Sequence, residues 1–160
     1  MRIKEVMSHP AVSCRADMTL DAIVRLMSEY DCGVIPVVDN EGRLAGILTD
    51  RDVCLAALKR NQALHMIPVR EVMARQVFSC REEDFVESAE RLMRDRRIHR
   101  VPVVDADRRL VGVLSVDDLA QMAAHVRRSG VEREFVQTVA DICRPATQAA
   151  RAGSAGAIVI

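Results

Sequence analysis

The sequence Pro36-Val37-Val38-Asp39 returns 66 residues later as Pro102-Val103-Val104-Asp105. The match continues without a gap from residues 5–53 to residues 71–119. Further pairs share this offset: Val6-Met7 with Val72-Met73, Ser13-Cys14-Arg15 with Ser79-Cys80-Arg81, Arg25-Leu26-Met27 with Arg91-Leu92-Met93, and Arg43-Leu44 with Arg109-Leu110. The chain therefore contains an internal duplication.

Both repeats predict the same elements in the same order. The first repeat reads as an extended stretch at residues 11–14, a helix with Leu20, Ile23, Val24 and Met27 at helical spacing, strands at 34–38 and 44–48, and a helix that begins near Asp50. The second reads as an extended stretch at 77–80, a helix with Val86, Ala89 and Met93, strands at 101–104 and 110–114, and a helix that begins near Val116. Between the first pair of strands, Gly42 is expected to supply a positive φ in a hairpin.

This order, β-α-β-β-α twice, predicts an α/β (α+β) fold. A single unit of about 50 residues buries its own sheet poorly, so we expect the two units to pack together about a pseudo-twofold axis. We assign residues 3–60 to the first repeat, 69–125 to the second, 126–145 to a C-terminal helical extension and 146–160 to a flexible tail.

The helical extension is predicted from its cap and its apolar spacing. Ser129 and Glu132 fit a capping box, and a helical apolar pattern runs from there to Pro145. The apolar positions are Phe135, Val139 and Ile142.

Composition narrows the class of protein. The 23 Lys and Arg residues balance 23 Asp and Glu residues, so no net charge draws the chain to nucleic acid or anionic lipid. Aromatic residues make up only 2%, which removes the stacking surface of single-strand binders. Five cysteines without Cys-x-x-Cys spacing, and the lack of a signal peptide, indicate a reducing, cytoplasmic setting. No apolar run approaches the roughly 20 residues that cross a bilayer, so we expect a soluble protein.

The strand-to-helix turn carries polar groups in both repeats. Residues 46–52 read Gly-Ile-Leu-Thr-Asp-Arg-Asp and residues 112–118 read Gly-Val-Leu-Ser-Val-Asp-Asp. A hydroxyl at a helix N-terminus, followed three residues later by a carboxylate, could bind a phosphate and a ribose. The same spacing fits a helix N-cap with an acid at its third position, and the sequence leaves both interpretations open.

The duplicated unit closely resembles the CBS domain, over about residues 3–125. The resemblance rests on the apolar-Pro-Val-Val-Asp strand, the Gly-bearing hairpin and the Gly-x-x-Thr/Ser-x-x-Asp turn. It implies that the two repeats pair into a Bateman module, with clefts for AMP, ADP, ATP, S-adenosylmethionine or similar ligands.

The resemblance also implies roles for individual residues. Asp52 and Asp118 would bind ribose, and Thr49 and Ser115 would face phosphate. The remaining nucleotide-binding positions would be Ala11 or Val77 with Cys32 or Ile98 at the base, and His99 with Arg100 at the phosphates.

The first repeat departs from this pattern, since it has Gly33-Val34 where the second has His99-Arg100. Its cleft lacks that cation, although Arg51 could replace it. We therefore expect unequal sites, with charged phosphates held better at Asp118 and a weaker or less charged ligand at Asp52.

These features predict a stand-alone regulatory module that senses an adenine nucleotide or S-adenosylmethionine and changes conformation or assembly. We expect a homodimer with an unidentified protein partner, no required cofactor and no catalysis. The four histidines show no ligand spacing, so no metal site is expected. The alternative is a non-catalytic dimerisation scaffold with vestigial clefts. An enzyme acting on the nucleotide has only an acid near a phosphate site to support it.

Overall fold

The computed structural model describes residues 1–125 and 129–142, which form a mixture of short strands and helices. The strands are β1 (Cys14–Arg15), β2 (Val34–Val38), β3 (Leu44–Thr49), β4 (Cys80–Arg81), β5 (Arg100–Val104) and β6 (Leu110–Ser115). The helices are α1 (Leu20–Glu29), α2 (Asp50–Arg60), α3 (Val86–Arg96), α4 (Val116–His125) and α5 (Ser129–Ile142). The α/β class and the repeated β-α-β-β-α order are confirmed.

Each repeat builds a three-stranded sheet, in the order β1-β2-β3 and β4-β5-β6. In the first sheet β1 runs parallel to β2, with Cys14 opposite Val37. Strand β2 pairs antiparallel with β3, and Ile35 lies opposite Leu48. Parallel neighbours need a crossover, which α1 provides, whereas antiparallel neighbours need only a hairpin.

The first strand of each repeat is shorter than predicted. Only Cys14 of the predicted stretch 11–14, and only Cys80 of 77–80, lies in a strand. The apolar residues of these stretches predicted an extended backbone. A β-strand also requires a hydrogen-bonded neighbouring strand, and residues 11–13 and 77–79 do not lie in one. Both stretches approach their short strands as irregular, half-buried backbone.

The described chain divides into two compact units, each of which contains residues from both repeats. One unit comprises residues 10–79 and 104–111, and we call it the Thr49 unit. The other comprises residues 1–9, 80–103, 112–125 and 129–142, and we call it the Ser115 unit. Each unit therefore keeps one repeat's helices and takes in the segment that precedes the other repeat's first strand.

We call residues 1–9 of the Ser115 unit and residues 67–75 of the Thr49 unit the exchanged segments. Backbone hydrogen bonds hold both of them in matching places. In the Ser115 unit, Ile3 donates to the Asp84 carbonyl at 3.0 Å and Ser8 exchanges two bonds of 3.0 Å with Val113. In the Thr49 unit, Val69 donates to the Met18 carbonyl at 2.8 Å, and Ala74 exchanges two bonds of 2.9 Å with Ile47. These bonds map onto one another under the 66-residue offset, so the exchange is reciprocal.

A glycine in each sheet allows the exchanged segment to approach closely. A Cβ built on Gly46 would lie 2.7 Å from Met73 Sδ and 3.0 Å from the Ala74 carbonyl oxygen. At Gly112 the corresponding distances are 2.5 Å to Met7 Sδ and 3.0 Å to the Ser8 carbonyl oxygen. A larger residue would therefore push the segment away from the sheet.

The core of the Thr49 unit draws on both of its parts. Fully buried side chains from α1, β2 and β3 pack with two from the exchanged segment. They are Leu20, Ile23, Ile35, Val37, Leu48, Ile67 and Val69. Because Ile67 and Val69 are completely buried, the exchanged segment supplies part of the apolar burial that stabilises this unit.

The hairpins between β2 and β3 and between β5 and β6 are stabilised by the same aspartate hydrogen bonds, but they differ in the residue at the position of positive φ. Asp39 Oδ1 accepts bonds from the amides of Glu41 and Arg43. Asp105 Oδ1 does the same for residues 107 and 109. Gly42 has the predicted positive φ, 79°, and Arg108 holds the equivalent position at 64°.

Helix α5 packs against α3 and α4 within the Ser115 unit. Thr138 and Ile142 are buried on this helix. The helix was predicted, whereas the side chains of its proposed capping box, Pro145 and the tail lie outside the described residues. Among the described helices, none has both the length and the apolar character needed to span a membrane.

Candidate functional site

The first candidate site is the turn from β3 into α2, where Thr49 and Asp52 form a closed hydrogen-bond pair. The Thr49 backbone is extended, with φ −115° and ψ 161°, so its side chain can cap the helix. Thr49 Oγ1 accepts from the Asp52 amide at 3.1 Å. Asp52 Oδ2 in turn accepts from the Thr49 amide at 3.0 Å and from its hydroxyl at 2.7 Å.

The second candidate site repeats this geometry between β6 and α4. Asp118 Oδ2 accepts from the Ser115 amide at 2.7 Å and from its hydroxyl at 2.5 Å. Ser115 Oγ accepts from the Asp118 amide at 3.1 Å. The N-cap interpretation of the motif is thus confirmed in both repeats. Since each cap uses Oδ2, the carboxylate oxygen with spare acceptor capacity is Oδ1.

The two Oδ1 atoms have different surroundings. Ser8 Oγ donates to Asp118 Oδ1 at 2.8 Å. The residue equivalent to Ser8 is Ala74, which has no hydroxyl. Across residues 1–125 and 129–142, no group donates a hydrogen bond to Asp52 Oδ1. Ser8 is not among the site residues predicted from the sequence, although its mismatch with Ala74 in the aligned repeats is a signal that the two sites differ.

The residues that enter β2 and β5 lie against these turns. The Asp50 amide donates to the Gly33 carbonyl at 3.1 Å, and the Val116 amide donates to the His99 carbonyl at 2.9 Å. The predicted positions His99 and Arg100 therefore adjoin the Ser115 turn. His99 is exposed and Arg100, the first residue of β5, is half-buried.

Asp50 is a second residue that the sequence analysis missed. Its Oδ2 lies 3.1 Å from the position that a Cβ on Gly33 would take. Its Oδ1 accepts from the Arg51 amide at 2.7 Å. The first turn therefore holds a carboxylate beside Gly33, whereas the second has Val116 beside His99.

The four positions predicted at the base are placed less directly. The Cys32 and Ile98 amides donate to the carbonyls of the preceding helices, at 3.0 and 3.1 Å. Ile98 is only 7% exposed, so its side chain belongs mainly to the core. Ala11 is half-buried in the Thr49 unit. Val77 belongs to the same unit, so its contact with a ligand at Asp118 stays a prediction.

The matching cysteines at the first strands are buried in their separate units. Burial raises the pKa of the Cys14 thiol to about 12. Burial, together with the nearby Asp84 carboxylate, raises the pKa of the Cys80 thiol to about 11. Both thiols are therefore protonated at neutral pH and act as small apolar side chains.

Comparison with known proteins identifies the repeat. The family model of the CBS domain matches the chain twice, at residues 3–59 and 69–125. The CBS domain-containing protein YhcV of Bacillus subtilis is 34% identical over 118 residues, which cover 74% of this chain and 82% of YhcV. Inosine-5'-monophosphate dehydrogenase of Methanocaldococcus jannaschii is 33% identical over 115 residues, which cover 72% of this chain but only 22% of that enzyme.

Solved structures carry the same fold. The CBS domain pair of protein MJ0100, in complex with 5'-methylthioadenosine and S-adenosyl-L-methionine, is 25% identical to this chain. It superposes with a TM-score of 0.70, over 78% of this chain and 97% of that pair. The two family matches, the YhcV relationship and the shared fold lead to one conclusion: this chain belongs to the CBS domain family.

Proposed function

We propose that this chain is a regulatory module that binds an adenosine-containing ligand such as AMP, ADP, ATP or S-adenosylmethionine. The observation that carries the proposal is the repeated turn. In each copy the capping bonds hold the aspartate through Oδ2, so that Oδ1 is the oxygen available to accept hydrogen bonds from a ligand. A carboxylate oxygen held in this way can accept hydrogen bonds from the hydroxyl groups of a ribose. The complex of the MJ0100 pair with two adenosine derivatives supports this ligand class.

The cap limits what the turn hydroxyls can do for a phosphate. The hydroxyl groups of Thr49 and Ser115 already donate hydrogen bonds to the carboxylates of Asp52 and Asp118. A phosphate would have to draw on free backbone N–H groups at the helix N-terminus, or turn the hydroxyl away from the carboxylate. We therefore assign the ribose contact as the principal contact of each turn and the hydroxyl–phosphate contact as secondary.

The two sites differ in a way that supports unequal binding. The second turn has Arg100 and His99 beside it, which provide positive charge and hydrogen-bond donors for a phosphate. Its Asp118 also shares Oδ1 with Ser8, so a ribose there must share or displace that bond. The first turn offers an unshared Oδ1 on Asp52 and has no counterpart of Arg100, so its cation is Arg51, which lies between Asp50 and Asp52 in the chain.

Regulation follows from differential affinity. A ligand shifts the equilibrium between two arrangements of the chain only by the difference in its affinity for them. A protein partner would read the arrangement that the ligand favours. We assign no catalytic step to either turn, because the capping bonds employ the hydroxyl and one carboxylate oxygen in holding the helix.

A second candidate function, an assembly scaffold, is favoured by exposed apolar side chains in the Thr49 unit. On α1 and at its end, Val24 is 39% and Tyr30 is 53% exposed. On α2, Leu55 is 40% and Leu58 is 79% exposed. A second copy of the chain would cover such side chains in a homodimer. Light scattering should then report a dimer, and Leu58→Glu should shift it towards monomer.

Isothermal titration calorimetry with AMP, ATP, 5'-methylthioadenosine and S-adenosylmethionine tests the proposed function. At least one ligand should bind the unaltered chain. Asp52→Ala and Asp118→Ala should each remove one site and lower the stoichiometry, whereas the double variant should bind none. Bound ligand should also raise the free energy of unfolding, by about 2.7 kcal/mol at a hundredfold excess over its Kd.

Loss of the cap must be separated from loss of the ligand contact in these variants. Thr49→Ala and Ser115→Ala remove the capping hydroxyl, at a cost of about 1 kcal/mol, but retain the carboxylate. These variants should still bind, with at most a modest loss of affinity. If none of the ligands binds the unaltered chain and the dimer persists, the scaffold function is correct.

A further inference from the structure

The two turns share a backbone but carry different charges. In the first turn the Asp50 amide donates a hydrogen bond to the Gly33 carbonyl at 3.1 Å. In the second turn the Val116 amide donates to the His99 carbonyl at 2.9 Å. The side chains at these matched places are unrelated in chemistry. The first turn pairs glycine with a carboxylate, whereas the second pairs an imidazole with an apolar side chain.

The carboxylate of Asp50 is directed towards Gly33. Its Oδ2, Cγ and Oδ1 lie 3.1, 3.6 and 3.9 Å from the Cβ position of that glycine. A bond of 2.7 Å from the Arg51 amide to Oδ1 holds the carboxylate there. Asp50 is solvent-exposed, so its carboxylate is accessible beside Gly33.

The next strand position reinforces the difference. The first residue of β2 is Val34, which is 8% exposed, whereas Arg100 begins β5 and is half-buried. Within the part of the chain that the structure describes, Arg100 makes no salt bridge. Beside Gly33 and Val34, the first turn therefore has the Asp50 carboxylate, whereas beside His99 the second turn has Val116 and the Arg100 cation. At the following helix position the charges are reversed, with Arg51 in the first turn and Asp117 in the second, so the contrast lies in the groups next to the entering strand.

From this contrast we propose that Asp50 makes the first turn selective for adenosine derivatives that carry a neutral or cationic group, rather than a phosphate, at the 5' position. Val116 and Arg100 give the second turn the opposite preference. The proposal rests on the proposed function, and it adds the residue and the class of ligand that separate the two sites. Repulsion between a carboxylate and a nearby phosphate at a protein surface is expected to change affinity by about tenfold or more.

A reciprocal exchange tests this assignment. Asp50→Val is measured together with Asp118→Ala, so that only the first site binds, and Val116→Asp together with Asp52→Ala, so that only the second binds. AMP and 5'-methylthioadenosine are the probes, because they share adenosine and differ at the 5' group. The ratio of AMP affinity to 5'-methylthioadenosine affinity should rise about tenfold or more with Asp50→Val and fall by a similar factor with Val116→Asp.

A third variant separates charge from shape. Asp50→Asn retains the size of the side chain and an oxygen for the Arg51 amide, and it should raise the ratio as Asp50→Val does. In the unaltered first site, the ratio should also rise with added salt, because salt screens the carboxylate.

The outcomes distinguish the two proposals. Failure of both probes to bind the unaltered chain overturns the proposed function, and the role of Asp50 with it. Binding with the same affinity ratio before and after all three substitutions overturns the role of Asp50 alone. An effect of Asp50→Val that Asp50→Asn does not reproduce also overturns it, because the effect would then come from shape.

Discussion

Arg108 holds a backbone conformation that is costly for a residue with a side chain. Its φ is 64°, in the left-handed region, while the matching position of the first hairpin is Gly42 at 79°. Asp105 Oδ1 accepts hydrogen bonds from the amides of Asp107 and Arg109, and these bonds impose the turn on the residue between them. Glycine adopts this region without steric penalty, whereas other L-residues lose about 1 kcal/mol or more.

We therefore predict that Arg108→Gly raises the free energy of unfolding by up to about 1 kcal/mol, since relief of strain exceeds the added entropy of the unfolded chain. Urea denaturation of the variant and the unaltered chain measures the difference. Gly42→Arg is the matched control and should be destabilising. A destabilised Arg108→Gly would show that the Arg108 side chain contributes more than its backbone costs.

At the same scale, the sequence revealed the residues that the repeats share more readily than those that differ. Thr49, Asp52, Ser115 and Asp118 followed from the repeated spacing, and all four lie in the predicted turns. Ser8 and the Asp50 carboxylate did not, because their roles depend on contacts that only folding creates. Ser8 is 110 positions from Asp118 in the chain, so no local pattern could connect them.

At the scale of elements, helix α3 carries a glutamate where α1 carries a valine. Glu90 is 3% exposed on α3, which packs against α5, and the equivalent Val24 is 39% exposed. Burial raises the pKa of Glu90 to about 7, and the carboxylates of Glu134 on α5 and Glu87 on α3 act in the same direction. Arg94 on α3 acts against them.

The raised pKa of Glu90 makes the free energy of unfolding depend on pH. An unfolded glutamate titrates near 4.5, whereas Glu90 in the folded chain keeps its proton up to about pH 7. Its contribution to stability is thus fully present below pH 4.5 and is lost as the pH rises through about 7. Glu90→Gln should be closest in stability to the unaltered chain at pH 4 and be more stable than it at pH 8, by about 1–3 kcal/mol.

Urea denaturation of both chains between pH 4 and pH 8 tests this, because the contributions of titratable groups common to both chains cancel in the difference. Glu87→Gln is a suitable control, since Glu87 is exposed and its removal should change the pH profile much less. Equal slopes for Glu90→Gln and the unaltered chain would contradict the prediction. The helical periodicity of the sequence predicted both helices but not the burial of Glu90. That burial depends on α5 packing against α3, which the sequence of α3 alone does not reveal.

At the scale of the whole molecule, the reciprocal exchange of segments determines which pieces can fold. A fragment of residues 1–66 would lack Ile67 and Val69, which are fully buried in the Thr49 unit, and the bonds between Ile47 and Ala74. A fragment of residues 67–160 would lack Ile3, also fully buried, and the bonds between Ser8 and Val113. Cutting between the repeats therefore removes core and backbone pairing from both units.

We predict that neither fragment folds cooperatively alone and that an equimolar mixture regains the helical circular dichroism of the intact chain. Gly46→Ala in the first fragment should weaken this complementation, because its Cβ would meet Met73 and Ala74 of the other. Cooperative thermal unfolding of either fragment by itself would contradict the prediction. The sequence showed that the chain is duplicated, but not that the copies exchange their leading segments. The 66-residue offset is the same whether each leading segment packs on its own repeat or on the other one.

The exchange also bears on how such a chain could have arisen. Each repeat supplies both the segment that is given and the sheet edge that receives it, so two identical single-repeat chains could in principle make the same contacts with each other. Joining them changes the order of the reaction rather than the contacts: a bimolecular encounter, dependent on protein concentration, becomes an intramolecular closure at an effective concentration set by the linker. The duplication thereby makes these contacts independent of how much of the protein a cell contains.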